Sequence, residues 1–309
     1  MISEEPGSER CLVLRLRASR SKARDAAVAE GLALLRGLRA RRASGGPIAE
    51  IGGVAWLNVD SRDLDGALSR LQQLGYTAAV DLVTPLGADP AGPRSMVTRW
   101  RGRRLALVRI YEDTDEELRS YAPDRRSFLL ECADGVTRRI VGYRGGAGVL
   151  EHRALPVEDA RLLVNLVSCE GGGQFLDPFA GAGSVIIEAR ARGFTTTSLD
   201  ADRALRFGLA ELSSHHVVGD ASVLPFADHS FDALATEPPY HSSALDLVRT
   251  SVREAARVIR RGARVAFLVS SKQAAPIREA AERAGLSLEL EAPIDRKGTE
   301  VSCFCWASP

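Results

Sequence analysis

The feature that most constrains this chain is the segment Leu176-Asp-Pro-Phe-Ala-Gly-Ala-Gly-Ser184. A short apolar run ends at a carboxylate and a proline, the chain turns through Gly181 and Gly183, and a helical pattern starts at Val185-Ile-Ile-Glu-Ala189. Strand, glycine turn and helix start, in that order, form a ligand loop. Glycine lets the backbone bend sharply and come close to a bound molecule, while the free N–H groups of the helix start face it. A nucleotide-like ligand is expected there.

The surrounding residues narrow the choice. The dinucleotide fingerprint G-x-G-x-x-G would place its third glycine at Ile186, so NAD is the weaker reading. A carboxylate ahead of the turn, Asp177, repels a pyrophosphate and suits a ligand with a positive amino or sulfonium group. S-adenosylmethionine has that charge. Further on, Thr195-Thr-Thr-Ser-Leu199 is a β-branched run closed by Asp200, roughly twenty residues beyond the loop, where a nucleotide-binding sheet puts an acid for ribose hydroxyls. Val217-Val-Gly-Asp-Ala221 reads as a third strand whose Asp220 suits an adenine amino group. A lone strand-end Asp is more often a surface or capping residue. Three at successive strand ends converge on one crevice, because ligands of open α/β sheets bind outside the carboxyl ends of the strands.

A second motif, Thr236-Glu-Pro-Pro-Tyr240, follows the strand-like run Phe231-Asp-Ala-Leu-Ala235. An exocyclic amine on a base delocalises its lone pair into the ring and becomes nucleophilic only when acceptors hold its N–H groups. The Glu237 side chain and the Pro238 carbonyl offer two acceptors. Pro238 and Pro239 contribute no competing N–H and fix the direction of the carbonyls, and Tyr240 offers a stacking face. Alone, Glu-Pro-Pro-Tyr reads as a surface acid beside a rigid turn; behind a strand and a glycine loop, the functional reading is favoured.

Together these residues resemble the motifs of class I S-adenosylmethionine-dependent methyltransferases that act on exocyclic amino groups. The resemblance covers the second half of the chain. It is closest to the RNA guanine-N2 methyltransferases, a group that includes tRNA enzymes, because His152-Arg-Ala-Leu-Pro156 and Ala160-Arg-Leu-Leu-Val-Asn-Leu166 look like their lead-in helix. It implies an α/β fold with a Rossmann-like seven-stranded sheet, and cofactor binding by Asp177, Phe179, Gly181, Gly183, Asp200, Asp220 and Ala221. It also implies catalytic contacts to the target base from Glu237, Pro238, Pro239 and Tyr240, with no metal. Glu237 departs from the pattern, which has Asp or Asn there, one methylene shorter. The expected reaction is methylation of an exocyclic amine in RNA, with guanine N2 of tRNA first. DNA adenine-N6 or cytosine-N4 methylation, and a non-catalytic RNA-binding protein of the same fold, stay open as alternatives.

The length of 309 residues and the 45% hydrophobic content accommodate two domains, expected at 1–146 and 147–309. The first reads as a smaller α/β (α+β) domain: strands over Cys11–Leu16, Ile48–Val59 and Thr77–Val83, helices over Arg20–Arg42 and Leu64–Leu74. Hairpins follow over Val97–Tyr111 and over Ser127–Tyr143, the latter turning at Asp134-Gly135. Gly87–Pro93 is a break, and Arg144–Gly148 is the linker candidate. In the second half, helices are expected over Asp246–Arg260 and Ala274–Ala284, and strands over Val265–Ser270, Leu286–Leu290 and Val301–Trp306.

Charge is uneven. Residues 1–150 hold 24 Lys and Arg against 19 Asp and Glu, and the remainder holds 17 against 21. The excess concentrates at Arg99-Trp-Arg-Gly-Arg-Arg104, Arg125-Arg126 and Arg138-Arg139, and basic residues with an interleaved Trp suit RNA phosphates and bases as well as a solvated hairpin surface. Five cysteines and five histidines show no metal-ligand spacing. No apolar run is long enough for a membrane span, and the polar start Met1–Arg10 is unlike a signal peptide, so the expected location is cytoplasmic.

Overall fold

A computed structural model describes residues 8–43, 53–85, 94–100, 103–113, 127–141, 150, 153–169, 171–296 and 298–309. The chain divides into two compact units, Met1–Leu118 with Ile294–Lys297, and Arg119–Pro293 with Gly298–Pro309. The hairpin around Gly135 thus groups with the second unit, whereas the sequence placed a boundary at 146/147. Gly87–Pro93 and Arg144–Gly148, the expected break and linker, lie outside the described residues.

The first unit starts with β1 (Glu9–Leu16), α1 (Arg24–Leu34), β2 (Ala40–Arg42), β3 (Val54–Asp60), α2 (Leu64–Leu71) and β4 (Thr77–Pro85). With the hairpin β5 (Arg94–Trp100) and β6 (Arg103–Glu112), the strands form one sheet in the order β2-β3-β1-β4-β6-β5, each described pair antiparallel. Elements β1 to β4 follow the split β-α-β scheme, in which two crossovers leave the first strand between the third and the last. The helix expected over Arg20–Arg42 is shorter than its apolar spacing suggests. The chain turns at Gly37, with φ of 82°, and residues 40–42 pair with β3 instead. Sheet pairing overrides helical propensity there.

The second unit begins with the hairpin β7 (Ser127–Glu131) and β8 (Thr137–Val141), followed by α3 (Val157–Val167), β9 (Gly173–Asp177), α4 (Ser184–Ala191), β10 (Phe194–Asp200), α5 (Arg206–Leu212) and β11 (His215–Val218). Then come β12 (Phe231–Thr236), α6 (Leu245–Val258), β13 (Ile259–Ser270), α7 (Ala274–Arg283), β14 (Ser287–Arg296) and β15 (Thr299–Ala307). The seven-stranded sheet has the order β11-β10-β9-β12-β13-β15-β14. The pairs β11·β10, β10·β9, β9·β12 and β12·β13 are parallel, and β15 runs antiparallel to β13. α6 ends two residues before the expected Arg260, because Ile259 leaves it to pair with Phe231 at the start of β13.

Strands buried on both faces need apolar side chains throughout. Leu176, Leu199, Leu234, Val265, Phe267, Phe304 and Trp306 supply them, covered by Val248, Val252 and Ala255 of α6 and Ile277 and Ala281 of α7. Phe304 and Trp306 stack with centroids 4.8 Å apart. The other face takes α3 and α4. The β7–β8 hairpin is fastened to α5: buried Phe128 lies over Gly208, where any side chain would strike its ring, and Arg206 bonds to Glu131 at 2.8 Å.

Candidate functional site

In this sheet order the chain leaves β9 toward β10 on one side, and β12 continues toward β13 on the other. The crevice between the carboxyl ends of β9 and β12 is therefore the topological switch point, where such sheets take their ligands. The glycine loop leaves β9 directly into it. Gly181 has φ of 50° and Gly183 has φ of 80°, in the left-handed region where a side chain costs energy. Space forbids one as well: a Cβ on Gly181 would lie 2.6 Å from the Arg153 carbonyl oxygen, and one on Gly183 would lie 2.7 Å from a Leu212 methyl. Ala182 N donates to that Arg153 oxygen at 2.8 Å, and Ala180 N to the Leu199 carbonyl at 3.0 Å, so the loop is pinned from both flanks.

Asp177 and Asp200 are the last residues of β9 and β10, and Asp220 lies just beyond β11. Asp200, the last residue of β10, accepts from Gly181 N at 2.8 Å through Oδ2 and from Asp202 N at 2.9 Å through Oδ1. It therefore ties the loop to the neighbouring strand and holds its carboxylate in one orientation. Asp220, two residues past β11, accepts from Ser222 N and Ser222 Oγ, both at 2.8 Å, and Ala221 beside it is buried in the core. Phe179 is half-buried against the same core. Ser184 Oγ, at the first position of α4, is buried with no hydrogen-bond partner among the described residues.

Asp177 is only 1% exposed. Its Oδ1 accepts from Thr236 Oγ1 at 2.6 Å and from Phe179 N at 3.2 Å, so one carboxyl bridges the ends of β9 and β12 across the switch point. Burial pushes it up to about 7. The bonds from Thr236 and Phe179 pull it down, and the negative Asp200 and Glu237 push further up. Sequence reading missed Thr236, a hydroxyl 59 residues away that only the β9·β12 pairing brings near.

The Glu237–Tyr240 loop follows β12. Pro238 is buried, whereas Glu237, Pro239 and Tyr240 are half-buried. Tyr240 OH donates a hydrogen bond to Glu237 Oε1, so the ring expected as a stacking face also holds the longer carboxylate. Gln273, also missed, donates from Nε2 to the Pro239 carbonyl at 3.0 Å. A signal for it existed: Ser270-x-x-Gln273 behind an apolar strand is a capping-box pattern.

The loop of residues 219–229, which carries Asp220 and Ala221, is held from α6. Arg257 donates to the carbonyls of Leu224 at 3.0 Å and Phe226 at 2.8 Å and pairs with Asp228 and Glu254, while Glu254 accepts from Leu224 N at 2.8 Å. Among the basic candidates, Arg138 is paired with Asp134 inside its own hairpin and Arg139 with Glu211 of α5 at 3.1 Å. In the backbone register of the β5·β6 pair, Arg99 is the partner of Arg104 and Trp100 that of Arg103. Arg101, Arg125 and Arg126 lie outside the described residues. Among the described residues no group of three or more His, Cys, Asp and Glu could hold a metal ion, and no helix is long and apolar enough to cross a membrane.

Five parallel strands with an antiparallel hairpin at one edge, a glycine loop after the first and acids after the next two define the class I methyltransferase fold. A family model for a methyltransferase domain matches residues 176–267, the stretch from the glycine loop to β13. The tRNA (guanine(10)-N2)-dimethyltransferase of Methanothermobacter thermautotrophicus is 35% identical over 196 residues, which is 60% of this chain and 49% of that protein. The enzyme of the same name from Pyrococcus abyssi is 30% identical over 162 residues, 49% of this chain and 42% of that protein. The chain thus matches about half the length of these relatives or less. The crystal structure of TrmN from Thermus thermophilus covers 97% of this chain and 100% of its own, with a TM-score of 0.52 and 17% identity, a likeness of fold. Residues 176–267 thus match a methyltransferase domain, for which S-adenosylmethionine is the cofactor expected from the sequence. The residues present fit such a group: a buried carboxyl whose ionised form calls for a cation, an oriented strand-end carboxylate, and an orphaned hydroxyl at the helix start.

Proposed function

We propose that the protein methylates an exocyclic amino group of a nucleobase in RNA, guanine N2 of tRNA first, in the cytoplasm. The observation that carries this is the Glu237–Tyr240 loop at the end of β12, beside the glycine loop at the end of β9. The names of the two curated relatives support guanine N2 as the target.

In this reading Asp177 faces the cofactor's ammonium, Asp200 its ribose hydroxyls and Asp220 its adenine amine. Phe179 and Ala221 provide apolar contact, and Gly181 and Gly183 allow the backbone to approach. Bound S-adenosylmethionine supplies the methyl group. Glu237 and the Pro238 carbonyl would accept the two N–H groups of the target amine and pull its nitrogen toward tetrahedral geometry, so its lone pair could take the methyl carbon in line as the carbon–sulfur bond breaks and the neutral thioether leaves. Tyr240 orients Glu237 through its hydroxyl and stacks the base on its ring, a contact of about 1–3 kcal/mol. The nitrogen becomes acidic only once methylated, so the proton leaves late and a weak acceptor such as Glu237 suffices.

The deciding experiment incubates the protein with methyl-labelled cofactor and tRNA, rRNA or DNA, then digests each to nucleosides. Label in N2-methylguanosine from tRNA is the expected outcome. Label in N6-methyladenine or N4-methylcytosine from DNA would replace this reading with the DNA one, and no transfer to any of the three would overturn both.

A further inference from the structure

The functional reading needs two acceptors, one on Glu237 and one on Pro238, to face the same amine. Two adjacent proline carbonyls belong to the loop, and rotation of the loop would exchange which of them is presented. Gln273 removes that freedom. It is 3% exposed, and both ends of its amide are engaged: Nε2 donates to the Pro239 carbonyl at 3.0 Å, and Oε1 accepts from Ser270 N at 3.3 Å. Ser270 in turn closes a capping box with the Gln273 backbone. These partners fix which way the amide points, because only its nitrogen can donate to a carbonyl and only its oxygen can accept from an N–H. The loop after β12 is thereby tied to the end of β13, the next strand in the sheet.

We propose that Gln273 is a positioning residue for methyl transfer: by clamping the Pro239 carbonyl it fixes the Glu237–Tyr240 loop so that Glu237 and the Pro238 carbonyl present their acceptors together. This rests on the proposed function. Gln273 touches neither base nor cofactor in this role; it acts through the loop. A displacement of the acceptors by an ångström costs on the order of a hundredfold in rate, so a single buried bond at the loop's hinge has leverage.

The test compares the parent with Gln273→Met, which keeps length but cannot donate, and Gln273→Glu, which keeps shape and the acceptor for Ser270. Single-turnover methyl transfer at saturating RNA and cofactor, cofactor affinity by calorimetry and the unfolding midpoint are measured for each. Gln273→Met should transfer about tenfold to a hundredfold more slowly, with KM for RNA and cofactor affinity within about threefold of the parent. Gln273→Glu should show a deficit that narrows as pH falls, since only its protonated acid donates to Pro239. A merely structural role would lower the unfolding midpoint without that pH signature. Should Gln273→Met fail to fold, Gln273→Glu decides alone. Parental rates in a folded variant, or parallel loss of cofactor affinity and rate, would overturn the inference. A parent that transfers no methyl group to any nucleic acid would overturn the functional reading, and this inference with it.

Discussion

The carboxyl of Asp177 is placed where burial favours a proton and a cationic ligand favours its loss. Its ordinary value is 3.8 and burial raises it to about 7. Between these values the folded protein holds a proton that the unfolded chain releases, so this group's contribution to stability falls as pH rises from about 4 to about 7. Binding of an ammonium or sulfonium reverses the preference. Affinity for S-adenosylmethionine should therefore rise with pH and level off above about 7, with proton release visible when calorimetry is repeated in buffers of different ionisation enthalpy; Asp177→Asn should bind more weakly and without that slope. Asp200→Ala should cost roughly 1–3 kcal/mol of cofactor binding, since it leaves the N–H groups of Gly181 and Asp202 unpaired along with the ribose. Unchanged affinity in a titration of that variant would remove Asp200 from the cofactor site. At Glu237, the Ala variant should lose on the order of a hundredfold or more in single-turnover rate and the Gln variant less, with cofactor affinity nearly parental in both. Tyr240→Phe separates the two proposed roles of that ring. It keeps the stacking face and loses the bond to Glu237, so its rate should fall while RNA affinity holds, whereas Tyr240→Ala should weaken both.

At the scale of elements, the loop of residues 219–229 has no regular structure of its own and owes its course to α6. Arg257 fixes two of its carbonyls and Glu254 one of its N–H groups, so Arg257→Ala should loosen the segment that carries Asp220. Cofactor affinity should drop about tenfold, at a cost of a few degrees in unfolding midpoint, because partly buried carbonyls lose a charged donor. Equal affinity in that variant would show that the loop holds itself. This distinction also explains what was legible in the sequence. Asp177, Asp200 and Asp220 announce themselves because each follows its own apolar or β-branched run, a local pattern. Thr236 against Asp177, Gln273 against Pro239 and Arg257 against Leu224 are pairings across 59, 34 and 33 residues. Only the strand order brings them together, and no window of residues contains it. The strands of the second half were likewise readable from apolar runs. The end of α1 and the short β2 were not, since residues 40–42 look helical until β3 offers them an edge.

Across the whole molecule, charge is uneven along the chain: the basic surplus lies within residues 1–150, and the strand-end acids follow in the later sheet. If the first half grips RNA phosphates, as proposed from its arginines, the logarithm of RNA affinity should fall linearly with the logarithm of salt, and cofactor affinity should barely respond. Arg99→Ala with Arg104→Ala should shallow that slope by about one to two units, a change that filter binding across a salt series would register. An unaltered slope would assign these residues to the solvated hairpin surface. The strand order of the later sheet also governs when that sheet can close. β15 lies between β13 and β14 yet follows both in the chain, and it pairs with β13 from Val301 to Ala307. A nascent chain on the ribosome therefore carries two finished strands with an empty slot between them, and Phe267 waits there for Trp306, whose ring it meets at 6.0 Å. Closure of this sheet therefore waits for residues 299–307, and until they emerge the edge of β13 has no strand beside it and is open to pairing with another chain.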